Sequence, residues 1–252
     1  MAGSDWGCDR KTVINTYKSI CRSVLEYGCQ IWAPIITPHL WNKLQIIQNQ
    51  ALKIATGCLK ISSLAHIHQE TKVLPIQPHA MLLTKQFLLT NHLPGHPGQK
   101  HLDRPPPPRK MKKTILHYKD DIDQCLPVND KTSYKAGLKH LHTTAVNRTI
   151  TNYADNRVLK RKAPPLNTEE EKLPRNVRTE LSRLRSGFSR NLNDYRNRLD
   201  PAIPNNCPLC NISPHDVTHL FNCPRKPTTF TPTDLWNRPR EVAIFLQLIN
   251  ET

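Results

Sequence analysis

Residues 207–223 read CPLCNISPHDVTHLFNC. Cys207 and Cys210 can share a tight turn and offer two thiolates to one ion. His219 and Cys223 are four positions apart, so they lie on one helical face and their ligand atoms can converge. The pattern is C-x2-C-x8-H-x3-C. Three sulfurs and one imidazole nitrogen suit tetrahedral zinc, and a site closed by four protein ligands is structural rather than catalytic. His215 competes for the histidine place, giving C-x2-C-x4-H-x7-C. The i, i+4 pairing with Cys223 favours His219, and the alternative stays open from sequence.

The remaining cysteines frame this cluster by contrast. The chain has eight, and Cys8, Cys21, Cys29, Cys58 and Cys125 are scattered. The first twenty residues carry no signal-peptide apolar stretch, and no run approaches a membrane span. The expectation is an intracellular, nuclear protein with no membrane partner, in which a disulfide framework is disfavoured and clustered Cys and His point to metal.

Composition points the same way. Lys and Arg number 36 against 20 Asp and Glu, a formal charge of +16, which suits a partner bearing phosphates. Apolar residues make up 37% of the chain, below the roughly 45–50% of globular domains even with glycine added. Proline, at 22 of 252 residues, well exceeds its average of about 5%. These values fit helical cores joined by stiff, solvated connectors and exclude one dense α/β enzyme core.

The expected fold is mainly α. Val13, Tyr17, Ile20 and Val24 place one apolar face on a helix over Lys11–Trp32. A second helix runs from Pro38 to Thr56 with the stripe Leu40, Leu44, Ile47, Ala51, Ile54, and Gly57 as a left-handed stop. A third follows Ser62 or Ser63 as N-cap, and a fourth covers Pro78–Asn91 with Ala80, Leu83, Phe87 and Leu88 inward. Residues 1–92 thus form a small thumb-like helical bundle. Residues 93–130 are a proline-rich basic connector. Its Pro105-Pro106-Pro107-Pro108 must be extended polyproline, followed by Arg109, Lys110, Lys112 and Lys113. Residues 131–175 hold a weakly amphipathic helix and a linker from Lys160 to Pro174. Residues 176–252 hold a basic helix with Val177, Leu181 and Leu184 inward, Gly187 as its cap, the Cys-Cys-His-Cys zinc knuckle, and a closing helix from Pro239. Trp32, Trp41 and Trp236 read as core, Cys21, Cys29 and Cys58 as small buried residues, and His66 and His68 as helix-surface residues.

Between Arg157 and Arg198 lie twelve basic and five acidic residues. The candidate nucleic-acid contacts are Arg178, Arg183, Arg185, Arg190, Arg196 and Arg198, whose forks match phosphate. Phe188 and Tyr195 are candidates for stacking on bases. The competing reading is a solvated helix face. Tyr118-Lys119-Asp120-Asp121 spells Y-x-D-D, the metal turn of a polymerase. Its flanks are polar rather than apolar strands, and no upstream aspartate sits in an apolar strand to complete the site. It reads as a surface acidic turn, and no catalytic residue is assigned. Phosphate loops, nucleophile elbows and H-E-x-x-H are absent.

Several stretches resemble a known family. They are Tyr17-Lys18-Ser19-Ile20, Arg22 through Gly28, Ile31-Trp32, Leu44 through Lys53 and Thr56-Gly57. Further along come Arg104 through Arg109, Leu181 through Gly187, Pro214 through Pro224 and Asp234-Leu235-Trp236. In order, they resemble the segment following the palm in reverse transcriptases of jockey-like non-LTR retrotransposons. The resemblance implies the C-terminal, thumb-to-knuckle portion of an RNA-directed DNA polymerase without its catalytic aspartates, hence no enzyme as it stands. It places metal ligands at Cys207, Cys210, His219 and Cys223. It also implies RNA or DNA as partner, gripped during target-primed reverse transcription. The alternative is a protein-interaction module that docks on an intact reverse transcriptase of a related element or on another partner.

Overall fold

The computed structural model describes residues 7–102, 108 and 114–250. Pro105, Pro106 and Pro107 lie outside them, as do Arg109, Lys110, Lys112 and Lys113. Among the described residues the fold is mainly α, with no β-strand. The helices are α1 Arg10–Thr16, α2 Ser23–Leu25, α3 Cys29–Trp32, α4 Pro38–Thr56, α5 Leu64–Thr71 and α6 Ile76–Thr90. They continue with α7 Lys131–Thr151, α8 Arg175–Arg185, α9 Asn193–Leu199, α10 Val217–Asn222, α11 Asp234–Asn237 and α12 Pro239–Phe245. A π-helical turn, Tyr17–Arg22, joins α1 to α2, and 3-10 turns span Ile115–Tyr118, Asp120–Cys125 and Thr168–Lys172.

The chain divides into two compact units. The first comprises Met1–Thr16, Asn49–Lys72 and Ala154–Thr252, the second Tyr17–Gln48 and Val73–Tyr153. The four consecutive segments expected from sequence are not these units. Residues 1–92 contribute to both, because each core is assembled from segments distant along the chain.

In the second unit, α6 packs against α3 and α7. Cys29, Ala33, Trp41, Ile76 and Ala80 form one cluster. Leu82, Leu88, Leu89, Ile122, Cys125 and Leu141 form another. The amide N–H of Ile76, the first residue of α6, has no partner within the helix and donates to Gln45 Oε1 at 2.9 Å. Trp32 stands with its ring centroid 5.4 Å from that of Trp41.

The helix expected over Lys11–Trp32 is interrupted twice. The π turn adds a residue to the helical cycle, which rotates downstream positions by about 100°. Tyr17 is 4% exposed, whereas Ile20 and Val24, one expected stripe further on, are 62% and 73% exposed. Gly28 then adopts φ +62° and breaks the helix before α3. In α4 the bounds and the Gly57 stop at φ +69° match expectation, but Leu40, Ile47 and Ile54 face outward while Trp41, Gln48 and Leu52 are buried. Phe87 of α6 is exposed as well, and Cys21 lies at the surface.

The first unit packs α8, α10, α11 and α12 around Val177, Leu181, Leu184, Val217, Phe221, Leu235, Trp236, Val242 and Ala243. The expected linker from Lys160 to Pro174 belongs to this core. Leu173 is buried in it, and Ala163 and Leu166 pack against it. Asn167 caps the 3-10 turn by accepting from the Glu169 N–H at 2.9 Å, which turns Glu170 inward.

That inward carboxylate meets a buried guanidinium. Arg185 has no exposed surface. Its Nη1 donates to Glu70 Oε1 at 2.7 Å and its Nε to the Leu235 carbonyl at 2.9 Å, while Nη2 donates to Glu170 Oε2. Arg10 Nη1 reaches Glu70 at 3.2 Å and Glu170 at 3.3 Å. Two guanidinium groups and two carboxylates thus balance in charge. Burial opposes the ionised form of Glu70, but Arg185, Arg10 and His66 outweigh it and hold its carboxyl at about 2.

Removing one member of a buried ionic set costs about 3–5 kcal/mol, because it leaves the others uncompensated. Glu70→Gln is therefore expected to lower unfolding stability by about that amount. The Glu70 pKa falls on folding, so its stabilisation is complete above its ordinary value of 4.5 and is lost as pH drops toward about 2. Urea unfolding followed by circular dichroism from neutral to acid pH checks both points. Equal acid sensitivity in the unaltered and Glu70→Gln chains would contradict them.

Candidate metal centre

The loop from Cys207 to Asp216 is shaped by its backbone. The Cys207 N–H donates to the Ile212 carbonyl and the Asn211 N–H to the Cys207 carbonyl, both at 2.9 Å, with Asn211 left-handed at φ +61°. This closes a tight turn bearing Cys207 and Cys210. Asp216 then caps α10, its Oδ1 accepting from the His219 N–H at 2.8 Å. That fixes His219 on the first turn of α10 and sets Cys223 just past its end. Val217 and Phe221 anchor the opposite face of α10 in the core.

Cys207, Cys210, His219 and Cys223 consequently converge, with one ligand atom from each lying within 4.8 Å of all the others. The Cys207 and Cys223 sulfurs are 3.9 Å apart, and Cys210 Sγ is 3.2 Å from His219 Nε2. Tetrahedral zinc with bonds of about 2.3 Å to sulfur and 2.0 Å to nitrogen requires separations of about 3.8 and 3.5 Å. The four residues can thus hold a metal ion such as zinc with small adjustments. Burial would raise the Cys207 thiol, but the N–H groups of Cys210 and Leu209 and the side chains of Cys210 and His219 bring it down to about 6. A thiolate at neutral pH is the form that binds metal.

His215 is engaged elsewhere. It is buried, and its Nδ1 accepts from the Asn193 N–H at 3.1 Å while its carbonyl accepts from the Asp194 N–H at 3.2 Å. Asn193 Nδ2 also donates to the Asn206 carbonyl at 2.7 Å. The cysteine loop is thereby latched to the start of α9, whose N-cap residue, Leu192, supplies no side-chain hydrogen bond.

The candidate nucleic-acid residues separate into two groups. Arg178, Arg183 and Arg185 are buried, which removes them from any phosphate-binding surface. Arg178 pairs with Asp9, Arg183 Nε donates to the Gly57 carbonyl at the end of α4 at 2.9 Å, and Arg185 occupies the ionic cluster. Phe188 is also buried, with the Arg157 and Arg198 guanidinium groups 4.5 and 5.6 Å from its ring centroid and Tyr195 edge-on to it. Buried in this way, it cannot stack on a base. Arg190, Arg196 and Arg198 are exposed and Tyr195 is half-buried. Arg198 pairs with Asp194 at 3.2 Å across one helical turn.

Asp120 and Asp121 lie exposed on a 3-10 turn, and Asp121 pairs with Lys85 at 3.0 Å. His66 and His68 are buried, not surface, residues. His66 Nε2 lies 3.0 Å from the Ser182 carbonyl, and Cys58 Sγ lies 3.2 Å from Ser182 Oγ. Burial opposes both charged forms, yet Cys58 and His66 support each other. The thiol is lowered and the imidazole raised from their ordinary values. Neither site carries a local sequence signal, since Ser182 lies more than 100 positions from Cys58 and His66 and the ionic cluster draws its members from residues 10 to 185.

No protein-family profile, curated protein or solved structure matches the chain.

Elemental analysis of the chain refolded with zinc is expected to give about one equivalent per chain. Cys207→Ser and His219→Ala are expected to lose it, and His215→Ala to retain it. Loss in His215→Ala with retention in His219→Ala would reverse the ligand assignment.

Proposed function

We propose that the metal-bearing unit binds nucleic acid, as a zinc-knuckle portion of a non-LTR retrotransposon reverse transcriptase would. The observation that carries this reading is the hydrogen-bonded latch between the Cys3His loop and α9, which carries exposed Arg196 and Arg198. Zinc held by Cys207, Cys210, His219 and Cys223 is structural in this reading. It fixes the loop, the loop fixes α9, and α9 presents guanidinium groups to phosphates. Arg190 and the exposed basic run Arg157, Lys160, Arg161 and Lys162 extend the cationic surface. Arg178, Arg183 and Arg185 instead serve the interior.

The sequence resemblance supports the retrotransposon assignment, and the chain's charge of +16 supports a polyanionic partner. The thumb-like bundle belongs to the same proposal. A second reading, docking onto a protein partner, is favoured by the exposed Ile20, Val24, Tyr27 and Ile31. Unlabelled single-stranded RNA separates the two, because it competes only with nucleic-acid binding.

Fluorescence anisotropy with single-stranded RNA tests the proposal. Affinity is expected to fall with salt by about 0.7 log units per log unit of salt for each phosphate contact. Arg196→Ala is expected to reduce that slope by about one contact, and zinc removal to weaken binding. A flat salt profile, or binding indifferent to both changes, would overturn it.

A further inference from the structure

Helix α7 in the second unit carries Lys131, Lys135, Lys139 and Arg148, with no acidic residue from 131 to 151. Its buried side is fixed by Gly137. A Cβ there would stand 2.8 Å from Leu89 Cδ2 and 3.2 Å from Cys125 Cβ. Glycine in a helix interior costs about 1 kcal/mol relative to alanine, and here it permits close approach to α6 and to the Asp120–Cys125 turn. Leu138, Leu141 and Ala145 pack on the same side.

This contact leaves Lys131, Lys135, Lys139 and His142 exposed. At 100° per residue they fall within about 80° of one another, and they span about 16 Å along the axis. None of the three lysines has a hydrogen-bonding or ionic partner among the described residues. Each like-charged i, i+4 pair is destabilising by about 0.2–0.5 kcal/mol. Asp130, at the N-cap, is engaged with the Ser133 N–H and hydroxyl. On the neighbouring turn, Asp121 is paired with Lys85, while Asp120 and Asp123 are exposed.

We infer that this lysine ridge is a second nucleic-acid contact surface, one that binds the phosphate backbone of a duplex. The proposal rests on the chain's being a nucleic-acid-binding protein and extends it to the second unit. Lysines about 6 Å apart along a rigid line complement a rigid line of phosphates. Lysine acts as a point charge without bidentate base readout, so the contact is independent of sequence. Single-strand sites commonly add aromatic stacking to the phosphate contacts. α7 has no Phe or Trp, and its single Tyr, Tyr134, is half-buried with its hydroxyl 2.9 Å from Thr90 Oγ1. A bilayer would require a free apolar face, and that of α7 is already packed.

The test compares the unaltered chain with Lys131→Gln/Lys135→Gln/Lys139→Gln. Binding to a duplex and to a single strand of equal length is measured by anisotropy across a salt series, with circular dichroism verifying helix content. Lys43→Gln/Lys60→Gln/Lys100→Gln serves as a charge-matched control at other exposed positions. The ridge variant is expected to lose about 2–3 units of the duplex salt slope and tenfold or more in low-salt affinity, while single-strand binding changes little and replacement of the same lysines by arginine restores the duplex slope. An unchanged duplex slope in the ridge variant, or an equal loss in the control, overturns the ridge alone. Salt-dependent binding of single strands without duplex binding overturns the ridge and leaves the metal-bearing unit's role intact. Binding of neither overturns both.

Discussion

The fully buried guanidinium of Arg185 is the constraint around which the first unit is arranged. It joins four elements through fixed hydrogen-bond directions: α8, which carries it, α5 through Glu70, the Thr168–Lys172 turn through Glu170, and α11 through the Leu235 carbonyl. Desolvating such a group costs several kcal/mol. Two carboxylates, a carbonyl and the counterbalancing Arg10 offset that cost only when all are in place. The cluster therefore selects one arrangement of its segments. The apolar contacts of Leu181, Leu184, Phe221 and Trp236 are compatible with that arrangement but are non-directional.

This constraint changes the meaning of the chain's net charge. The arginine-rich segment from Arg175 to Arg198 reads as one cationic surface, yet its first half faces inward and its second half outward. Arg183 shows why composition misleads here. Its guanidinium meets the C-terminal carbonyl end of α4, a region of negative helix potential, so a positive side chain is a packing element. Arg196, exposed on the seven-residue α9, has no such role. Net charge sets the attraction for polyanions at long range, whereas the folded arrangement decides which cations can touch one.

What was legible in sequence was local. Pro38 and Gly57 bounded α4, Ser63 preceded α5, and Val177, Leu181 and Leu184 identified the inner face of α8. The ligand spacing from Cys207 to Cys223 was legible too, since two short turns suffice to bring those groups together. What was hidden depended on distant partners or on departures from the 3.6-residue period. The π turn at Tyr17–Arg22 displaced Ile20 and Val24 from the inner face. His66 looked like a surface residue because its partner, the Ser182 carbonyl, is 116 positions away. Spacing alone could not separate His215 from His219. The distinguishing contact is the Asn193 N–H, which donates to His215 Nδ1 and so leaves the proton of the neutral ring on Nε2.

That same contact explains why a seven-residue helix bearing arginines can hold its shape. Isolated helices shorter than about 12 residues are marginal in water, and α9 has no side-chain N-cap of its own. Its first two amides are satisfied by the ring and the carbonyl of His215. His215 lies between Cys210 and His219, so it belongs to the loop whose ends a metal ion would join. The order of α9 is therefore conditional on the order of that loop. An ion held by Cys207, Cys210, His219 and Cys223 would narrow the conformations of the 211–218 segment, and the latch would pass that restriction to α9.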